Sequence, residues 1–133
     1  MLISTRGRYA LRFLIYLAEN QGGGYITTRE LSETQEVSQK YAERLMVSLS
    51  KKFFVDTQHG KGGGYRLSRE PEDYKVSEIL MAMDEKLAPV ECLSCETNTC
   101  KRASICPTLP MWTKLDEMIN NFFDKITLKD LMK

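Results

Sequence analysis

Residues 38–67, SQKYAERLMVSLSKKFFVDTQHGKGGGYRL, contain two consecutive patterns that decide the fold. In the first, Tyr41, Leu45 and Leu49 repeat every four residues, which predicts a helix through residue 53 with one apolar face. The second is a strand, a glycine-rich turn and a returning strand, which together predict a β-hairpin. A hairpin directly after a helix-turn-helix is a wing, so this stretch predicts a winged helix-turn-helix.

The residues upstream complete the helix-turn-helix. Ser4 can cap a first helix, and Thr27 with Glu30 has the pattern of a capping box that opens a short second helix ending near Gln35. The apolar residues of the first helix recur at spacings of three and four and are Tyr9, Ala10, Phe13, Leu14 and Leu17.

Two helices and a short final turn are predicted after the wing. A long helix begins at Pro110, and the final turn, TLKDLM, is capped by Thr127. The stretch VSEILMAMDE is a short helix whose apolar side consists of Val76, Ile79, Leu80 and Met83.

The long helix carries a narrow apolar seam that needs a partner helix. Its members follow at spacings of three and four and are Trp112, Leu115, Ile119, Phe122 and Ile126. The partner is either the first helix of the same chain or a second copy of the long helix in a two-fold dimer. The dimer is favoured, because two recognition helices then face two half-sites roughly 34 Å apart on duplex DNA.

These elements predict a mainly α fold class with a small β-hairpin wing, that is, a winged helix-turn-helix domain plus a long dimerisation helix. Residues 1–75 form the predicted DNA-binding region and residues 76–133 the cysteine-loop and dimerisation region, and the two make one compact unit. A chain of 133 residues with 42% hydrophobic and 28% charged residues is typical of one globular domain.

Charge and hydropathy narrow the class of function. The net charge of +1 is unevenly distributed, because residues 1–75 carry twelve Lys/Arg against nine Asp/Glu and residues 76–133 carry seven against nine. The positive excess indicates that the first region contacts something anionic. No apolar run approaches the roughly 20 residues of a membrane span, so a cytoplasmic location without membrane contact is expected.

All four cysteines lie in ECLSCETNTCKRASICPTLPMW, residues 91–112. In a reducing compartment such a cluster predicts metal binding or redox chemistry rather than a disulfide framework. The spacing C-x2-C-x4-C-x5-C is close to that of compact zinc knuckles, and four thiolates satisfy tetrahedral zinc. The pair CLSC lacks the strand-helix-strand context of a thiol oxidoreductase and no acid/base pair accompanies it, so no enzyme is predicted.

The order of these motifs resembles the IscR, NsrR and CymR family of bacterial winged helix-turn-helix transcription regulators, and its iron-sulfur branch most closely. The resemblance runs nearly end to end and is carried by STRGRYALR, SQKYAERLMVSL, GKGGGYRL, KVSEILMAMDE, CPTLPMW and ITLKDLM. It implies a homodimeric regulator, in function a repressor, that binds a roughly palindromic operator in double-stranded DNA. In cluster-binding members it also implies an iron-sulfur cofactor, usually [2Fe-2S], through which iron-sulfur, redox or nitric oxide status is sensed.

The family's three cysteine ligands correspond to Cys92, Cys100 and Cys106. Leu109 stands where the cluster-sensing branch has a histidine ligand, so the fourth ligand is open. The candidates for it are the spare thiol of Cys95, the carboxylates of Glu91 and Glu96, and a carboxylate of the partner chain.

Three alternatives to an iron-sulfur sensor stay open. Zinc would make residues 92–106 a structural knuckle, or the thiols would be read directly, as in relatives of cysteine metabolism that bind no cluster. A redox or iron-sulfur carrier is an alternative of a different class, and it need not bind duplex DNA in a salt-dependent way. In the sensor, the cluster would order residues 88–110 and set the angle between each winged head and the dimer helix.

The DNA contacts are expected from the second and third helices and the wing. Arg44 or Gln39 would contact base edges, and the lysines would mainly contact phosphates. Glu43 would select the sequence, since a carboxylate repels phosphate but accepts from a cytosine amine. The complete predicted set is Thr28, Ser38, Gln39, Lys40, Tyr41, Glu43, Arg44, Lys51, His59, Lys61, Gly62 and Gly63.

Overall fold

The computed structural model describes residues 2–133. The helices in this range are α1 (Thr5–Asn20), α2 (Thr28–Gln35), α3 (Gln39–Lys51), α4 (Val76–Ala82), α5 (Leu109–Asp124) and α6 (Leu128–Leu131). Two strands, β1 (Val55–Gln58) and β2 (Gly64–Leu67), lie between α3 and α4, and single 3-10 turns occur at Pro71–Asp73 and Glu91–Leu93. The predicted fold class, mainly α with a two-stranded wing, is confirmed. None of the described helices combines the length and the apolar composition that crossing a bilayer requires.

The first helix, α1, supplies the centre of the core. Its N-cap is Ser4, whose side-chain oxygen accepts the Gly7 amide at 3.0 Å. Tyr9 is only half-buried and meets the ring of Tyr41 edge-on. The rest of the predicted apolar face is confirmed, because the fully buried residues of α1 are Ala10, Phe13, Leu14 and Leu17.

The ends of α2 and α3 differ in detail from the predicted ones. Thr27 accepts the Glu30 amide at 3.1 Å, as a capping box requires, but the Glu30 carboxylate accepts the Tyr16 hydroxyl at 2.7 Å instead of closing the box. The third helix ends at Lys51 rather than at residue 53, because Phe53 has a left-handed backbone with φ of 64°. This conformation turns the chain from the helix into the wing.

The wing is an antiparallel pair whose base lies in the core. Val55 and Leu67 face each other there in the register of the pair, and both are buried. Tyr74 fixes this base, because its buried hydroxyl donates to the carbonyl oxygen of Phe54 and accepts the amide of Ser68 at 3.0 Å. The sequence analysis did not identify Tyr74 as a core residue.

The second half of the chain shares this core. Ile79 and Met83, at α4, and Leu128, at the start of α6, are buried in the same cluster as the apolar face of α1. Lys75 and Thr127 form an isolated antiparallel bridge, which joins the end of the chain to the segment that follows the wing. Residues on both sides of position 75 therefore belong to one core.

The long helix α5 has no fully buried residue within the described chain. Ile119 and Phe123 pack with Ile126 against the second core cluster, around α4. The expectation of one continuous seam was wrong, because Ile119 and Ile126 face the chain's own core whereas Leu115 and Phe122 are exposed. The helix that packs most extensively on α5 in the same chain is α4.

Candidate nucleic-acid interface and cysteine segment

The third helix presents a polar and basic outer face. Its inner side is fixed in the core by Leu45, Met46 and Leu49, which are buried. The exposed side chains on its other faces are Gln39, Lys40, Glu43, Arg44, Val47 and Lys51. Because the second helix of a helix-turn-helix is the one that enters the major groove, α3 is called the recognition helix below.

Hydrogen bonds link α2 to the start of the recognition helix. The side-chain amide of Gln39 donates to the Thr28 hydroxyl at 2.8 Å and to the Glu43 carboxylate at 3.1 Å. Three of the predicted DNA-contacting residues therefore form one polar group. Ser38 is engaged differently, since its hydroxyl oxygen accepts the Tyr41 amide at 3.0 Å as the N-cap of the helix.

Tyr41 lies in the contact between α1 and the recognition helix rather than on the outer face. Its hydroxyl is buried and has no hydrogen-bond partner among residues 2–133, and burial is the main cause that raises the pKa of this hydroxyl. The ring borders a cavity of about 360 Å³ that is also lined by Arg6, Arg44 and Leu45. In the single chain Tyr41 therefore has a packing role, and its contact with DNA stays a prediction.

Arg6 was not among the residues predicted from the sequence. Besides the first cavity, it lines a second, wider cavity of about 540 Å³ beside Glu43, Arg44 and Lys51. Its guanidinium donates to the Ser48 hydroxyl, and this contact joins residues 42 positions apart. Such a long-range contact leaves no signal in local spacing.

The tip of the wing exposes His59, Lys61 and Gly62. Gly63 is buried instead, and a Cβ added there would lie 2.1 Å from the carbonyl oxygen of Gln58 in the same hairpin. A glycine is therefore needed there to close the turn, and its contact with DNA stays a prediction. Lys61 is the exposed cation of the tip.

The arginine of the returning strand is already engaged within the protein. Arg66 lies 4.0 Å from Asp56 on the facing strand, and its guanidinium stacks over the ring of Tyr25 at 4.7 Å.

The four thiols lie in residues 86–108, called the cysteine segment below, which connect α4 to α5. Cys92 and Cys106 are half-buried, whereas Cys95 and Cys100 are exposed, and all four are free thiols. Within residues 2–133 no group of three or more His, Cys, Asp or Glu side chains is arranged to hold a metal ion. The sequence thus supplies a donor set that the described single chain does not assemble into a site.

Cys106 has the most defined surroundings of the four. Its sulfur lies 3.4 Å from the hydroxyl of Thr108, directly before α5. The hydrogen bond from the Thr108 hydroxyl, followed by those from the backbone at Thr108 and Leu109, lowers the pKa of the Cys106 thiol. A lowered pKa favours the thiolate, which is the form that binds metals.

The donor set fits an iron-sulfur cluster chemically, since thiolates are its usual protein ligands. The fold does not oppose their approach, because no residue of the range 88–108 is buried. The arrangement itself is not formed in advance, so the segment would have to rearrange around any group that it binds. Residues 92–106 thus have the chemistry of a metal site but not its geometry.

A three-helix unit with an exposed basic recognition helix and a cationic wing is the architecture of a winged helix-turn-helix DNA-binding protein. The chain belongs to the Rrf2 family: the model of this family, described as an iron-dependent transcriptional regulator, matches residues 3–133. The family and the named relatives are transcription regulators and not enzymes, as expected.

Named relatives match along nearly the whole chain. Protein rrf2 of Nitratidesulfovibrio vulgaris is 32% identical over 133 residues, which cover 100% of this chain and 88% of that protein. The HTH-type transcriptional regulator IscR of Aliivibrio salmonicida is 33% identical over 132 residues, with coverages of 99% and 77%.

Solved structures agree with these relatives. CymR of B. subtilis, described as the global cysteine regulator, superposes with a TM-score of 0.80 at 28% identity and covers 98% of this chain and 95% of its own. T. potens IscR superposes with a TM-score of 0.77 at 30% identity, with coverages of 98% and 85%. The likeness to IscR and CymR regulators that the sequence motifs indicated is confirmed.

Proposed function

We propose that this protein is a homodimeric repressor whose affinity for DNA is controlled by an iron-sulfur cluster, of the [2Fe-2S] type, bound by the cysteine segment. The observation that carries the proposal is the position of four free thiols in one unburied segment between the winged head and α5. The description of the family as iron-dependent supports it. Such a regulator acts in the bacterial cytoplasm, where the chromosome lies.

Cys92, Cys100 and Cys106 are the proposed ligands, and Cys95 is the proposed fourth. A thiolate is a softer ligand than a carboxylate and therefore suits iron-sulfur chemistry better than Glu91 or Glu96. When bound, the cluster supplies a centre that responds to oxidants and to the supply of iron and sulfide. The protein's own part is to provide thiolates, and the Thr108 hydroxyl favours that form at Cys106.

Dimerisation is proposed through an exposed apolar face of α5, called the α5 stripe below. It consists of Met111, Leu115, Met118 and Phe122, whose exposed fractions lie between 37% and 68%. The spacings of four, three and four are those of a helix seam that pairs with another helix. A second copy of α5 is the proposed partner, because it would place two winged heads on one duplex.

DNA recognition is proposed through the recognition helix and the wing. Arg44 and Gln39 would contact base edges, Glu43 would restrict the sequence, and Lys40, Lys51 and Lys61 would contact phosphates. Two heads related by two-fold symmetry would read a palindromic operator with half-sites roughly 34 Å apart. Binding is expected to weaken steeply with salt, because phosphate contacts release counterions.

Two alternatives have specific support. The spacing of the four cysteines also suits a structural zinc ion. The structural likeness to CymR, a cysteine regulator by its title, favours a regulator of sulfur metabolism without a cluster. A carrier of electrons or clusters is less favoured, since a carrier does not need a basic recognition helix.

The first test is a visible spectrum of anaerobically purified protein, with iron, acid-labile sulfide and zinc measured per chain. Coloured protein with equal iron and sulfide would support the proposal, and about one zinc per chain without colour would overturn it in favour of the knuckle. Cys92→Ser, Cys100→Ser and Cys106→Ser should each lose iron. Cys95→Ser decides the fourth ligand, and Ser94→Ala is the matched control because it keeps every thiol.

A further inference from the structure

Asp84 and Glu85 are the last residues before the cysteine segment, and both of their carboxylates contact the first turn of α1. The Ser4 amide donates to the Glu85 carboxylate at 2.9 Å, and the Ser4 hydroxyl donates to the same oxygen. The Arg6 guanidinium lies 3.4 Å from the Asp84 carboxylate. The start of the cysteine segment is therefore attached to the start of α1.

Gly7 makes this attachment possible. It is buried against Glu85, and a Cβ added at position 7 would lie 2.6 Å from the Glu85 carboxylate oxygen. Any side chain there would push the carboxylate away from the N-terminus of α1. That N-terminus favours a negative charge because of the unpaired amides and the helix dipole.

The same Arg6 also reaches the recognition helix. A second nitrogen of its guanidinium donates to the Ser48 hydroxyl at 2.6 Å, while the first faces Asp84. A planar guanidinium carries several donors in a fixed arrangement, so one side chain can hold two acceptors at a defined separation. Ser48 follows the exposed Val47 directly, and both line the cavity that includes Arg44 and Lys51.

We propose that Arg6 is a positioning residue that couples the start of the cysteine segment, through Asp84, to the recognition helix, through Ser48. The inference rests on the proposed function, since it supplies the connection by which binding at the cysteine segment changes the affinity for DNA. The Arg6 and Asp84 side chains are 45% and 80% exposed, and exposed ion pairs contribute little to folding stability. Their substitution therefore leaves the core intact and removes only the connection.

A competing role for Arg6 is a direct phosphate contact, because it lies beside Arg44 and Lys51. The two roles predict different results. Loss of a phosphate contact weakens DNA binding equally with and without the cluster and lowers the salt dependence. Loss of the connection between Asp84 and Ser48 changes the ratio of the DNA affinities measured with and without the cluster. This ratio changes equally when Asp84 or Ser48 is substituted instead of Arg6.

The test measures the Kd for a labelled duplex selected by the unsubstituted protein from a randomised library. Each protein is measured after anaerobic reconstitution with ferrous iron and sulfide, and again after removal of the metal by a chelator. The variants are Arg6→Gln, Asp84→Asn and Ser48→Ala, with Arg8→Gln as the control. Asp84→Asn suits its backbone, because Asp84 has φ of 60° and asparagine tolerates this conformation. Arg8 is exposed on the same helix and contacts only Thr5 among the side-chain hydrogen bonds of the described residues.

We expect the unsubstituted ratio of the two Kd values to lie in the range of about 5 to 150 that is typical of allosteric coupling. Because an exposed contact contributes little, Arg6→Gln, Asp84→Asn and Ser48→Ala should each lower this ratio about two- to fivefold, whereas Arg8→Gln keeps it. Adding Asp84→Asn to Arg6→Gln should change nothing further. The iron content and the thermal midpoint of these variants should equal those of the unsubstituted protein. In cluster-free protein, Arg6→Gln and Asp84→Asn should speed amide hydrogen exchange at residues 46–50 by the same amount.

A ratio preserved in Asp84→Asn or Ser48→Ala would overturn the inference and leave the proposed function standing. An equal weakening of both states in Arg6→Gln alone would do the same and identify a phosphate contact. A ratio of one in the unsubstituted protein, despite full cluster content, would overturn the control by the cluster and this inference together.

Discussion

Phe122→Ala tests whether the α5 stripe is the dimer interface. The Phe122 side chain is 61% exposed in the single chain. Fully burying such a side chain is worth about 1.5–3 kcal/mol, so covering the exposed part contributes about 1–2 kcal/mol per copy. A two-fold interface contains the residue twice, which gives about 2–4 kcal/mol for the dimer. At about 1.4 kcal/mol per tenfold, the dimer Kd should rise about 30- to 700-fold.

Sedimentation equilibrium over a wide range of protein concentration measures this Kd directly. Asn121→Ala is the matched control, because Asn121 is the preceding exposed residue of α5 and lies outside the stripe. In the same samples, Phe122→Ala should lose affinity for a full palindrome and keep its affinity for a single half-site. A dimer Kd equal to that of the control would refute the assignment of this face.

Three other substitutions test the remaining surfaces and the local strain. Lys61→Ala should weaken binding to all duplexes alike and reduce the slope of log Kd against log salt by about 0.9 per wing. Fluorescence anisotropy at several salt concentrations measures this slope. An unchanged slope would show that Lys61 does not contact a phosphate. Tyr41→Phe should raise the free energy of unfolding in urea by about 1 kcal/mol, because it removes a buried hydroxyl without a partner; a loss of stability would point to a hydrogen bond to water there. Phe53→Asn should also raise it by about 1 kcal/mol, since asparagine tolerates φ of 64° and the 82% exposed ring loses little packing. A destabilised Phe53→Asn would indicate that the ring packs against something that the single chain lacks.

The fold could be predicted because its elements have local signals. The apolar period of α1 and the glycine-rich turn of the wing lie within short windows of sequence, and both predictions were confirmed. The predicted capping box lacks the hydrogen bond from the Thr27 amide to the Glu30 carboxylate. The reason is nonlocal, because Tyr16 on α1 donates to that carboxylate instead. Local patterns therefore fixed the elements more reliably than the contacts between them.

The two faces of α5 illustrate why the remainder could not be predicted. Trp112, Leu115, Ile119, Phe122 and Ile126 follow a seam spacing, but the spacing does not identify the neighbour. In the fold, α4 takes the side with Ile119, and the side with Leu115 and Phe122 stays exposed. Periodicity predicts that a helix has apolar faces. Which neighbour each face packs against depends on which helix the topology places beside it.

The residues of the candidate site likewise include some that the sequence could identify and some that it could not. The sequence identified the thiol donors and the basic residues of the recognition helix by residue type. It could not identify Arg6, whose contacts lie 42 and 78 positions away in the chain. It also could not place the Tyr41 hydroxyl, because its burial depends on the close approach of α1 to the recognition helix.

The position of the cysteine segment in the fold would suit the proposed control of DNA binding. Its first residues follow α4, with Leu87 buried in the second core cluster, and it ends at α5, which packs on the same cluster through Ile119 and Phe123. Between these fixed ends no residue of 88–108 is buried, so core packing does not determine the conformation of the segment. In the proposed function its order would depend on the group that the thiols bind, since metal binding and folding are coupled when the site is not formed in advance. Because one end is attached to Arg6 and the other continues into the proposed dimer helix, a change in that order would act on the recognition helix and on the spacing of the two heads together.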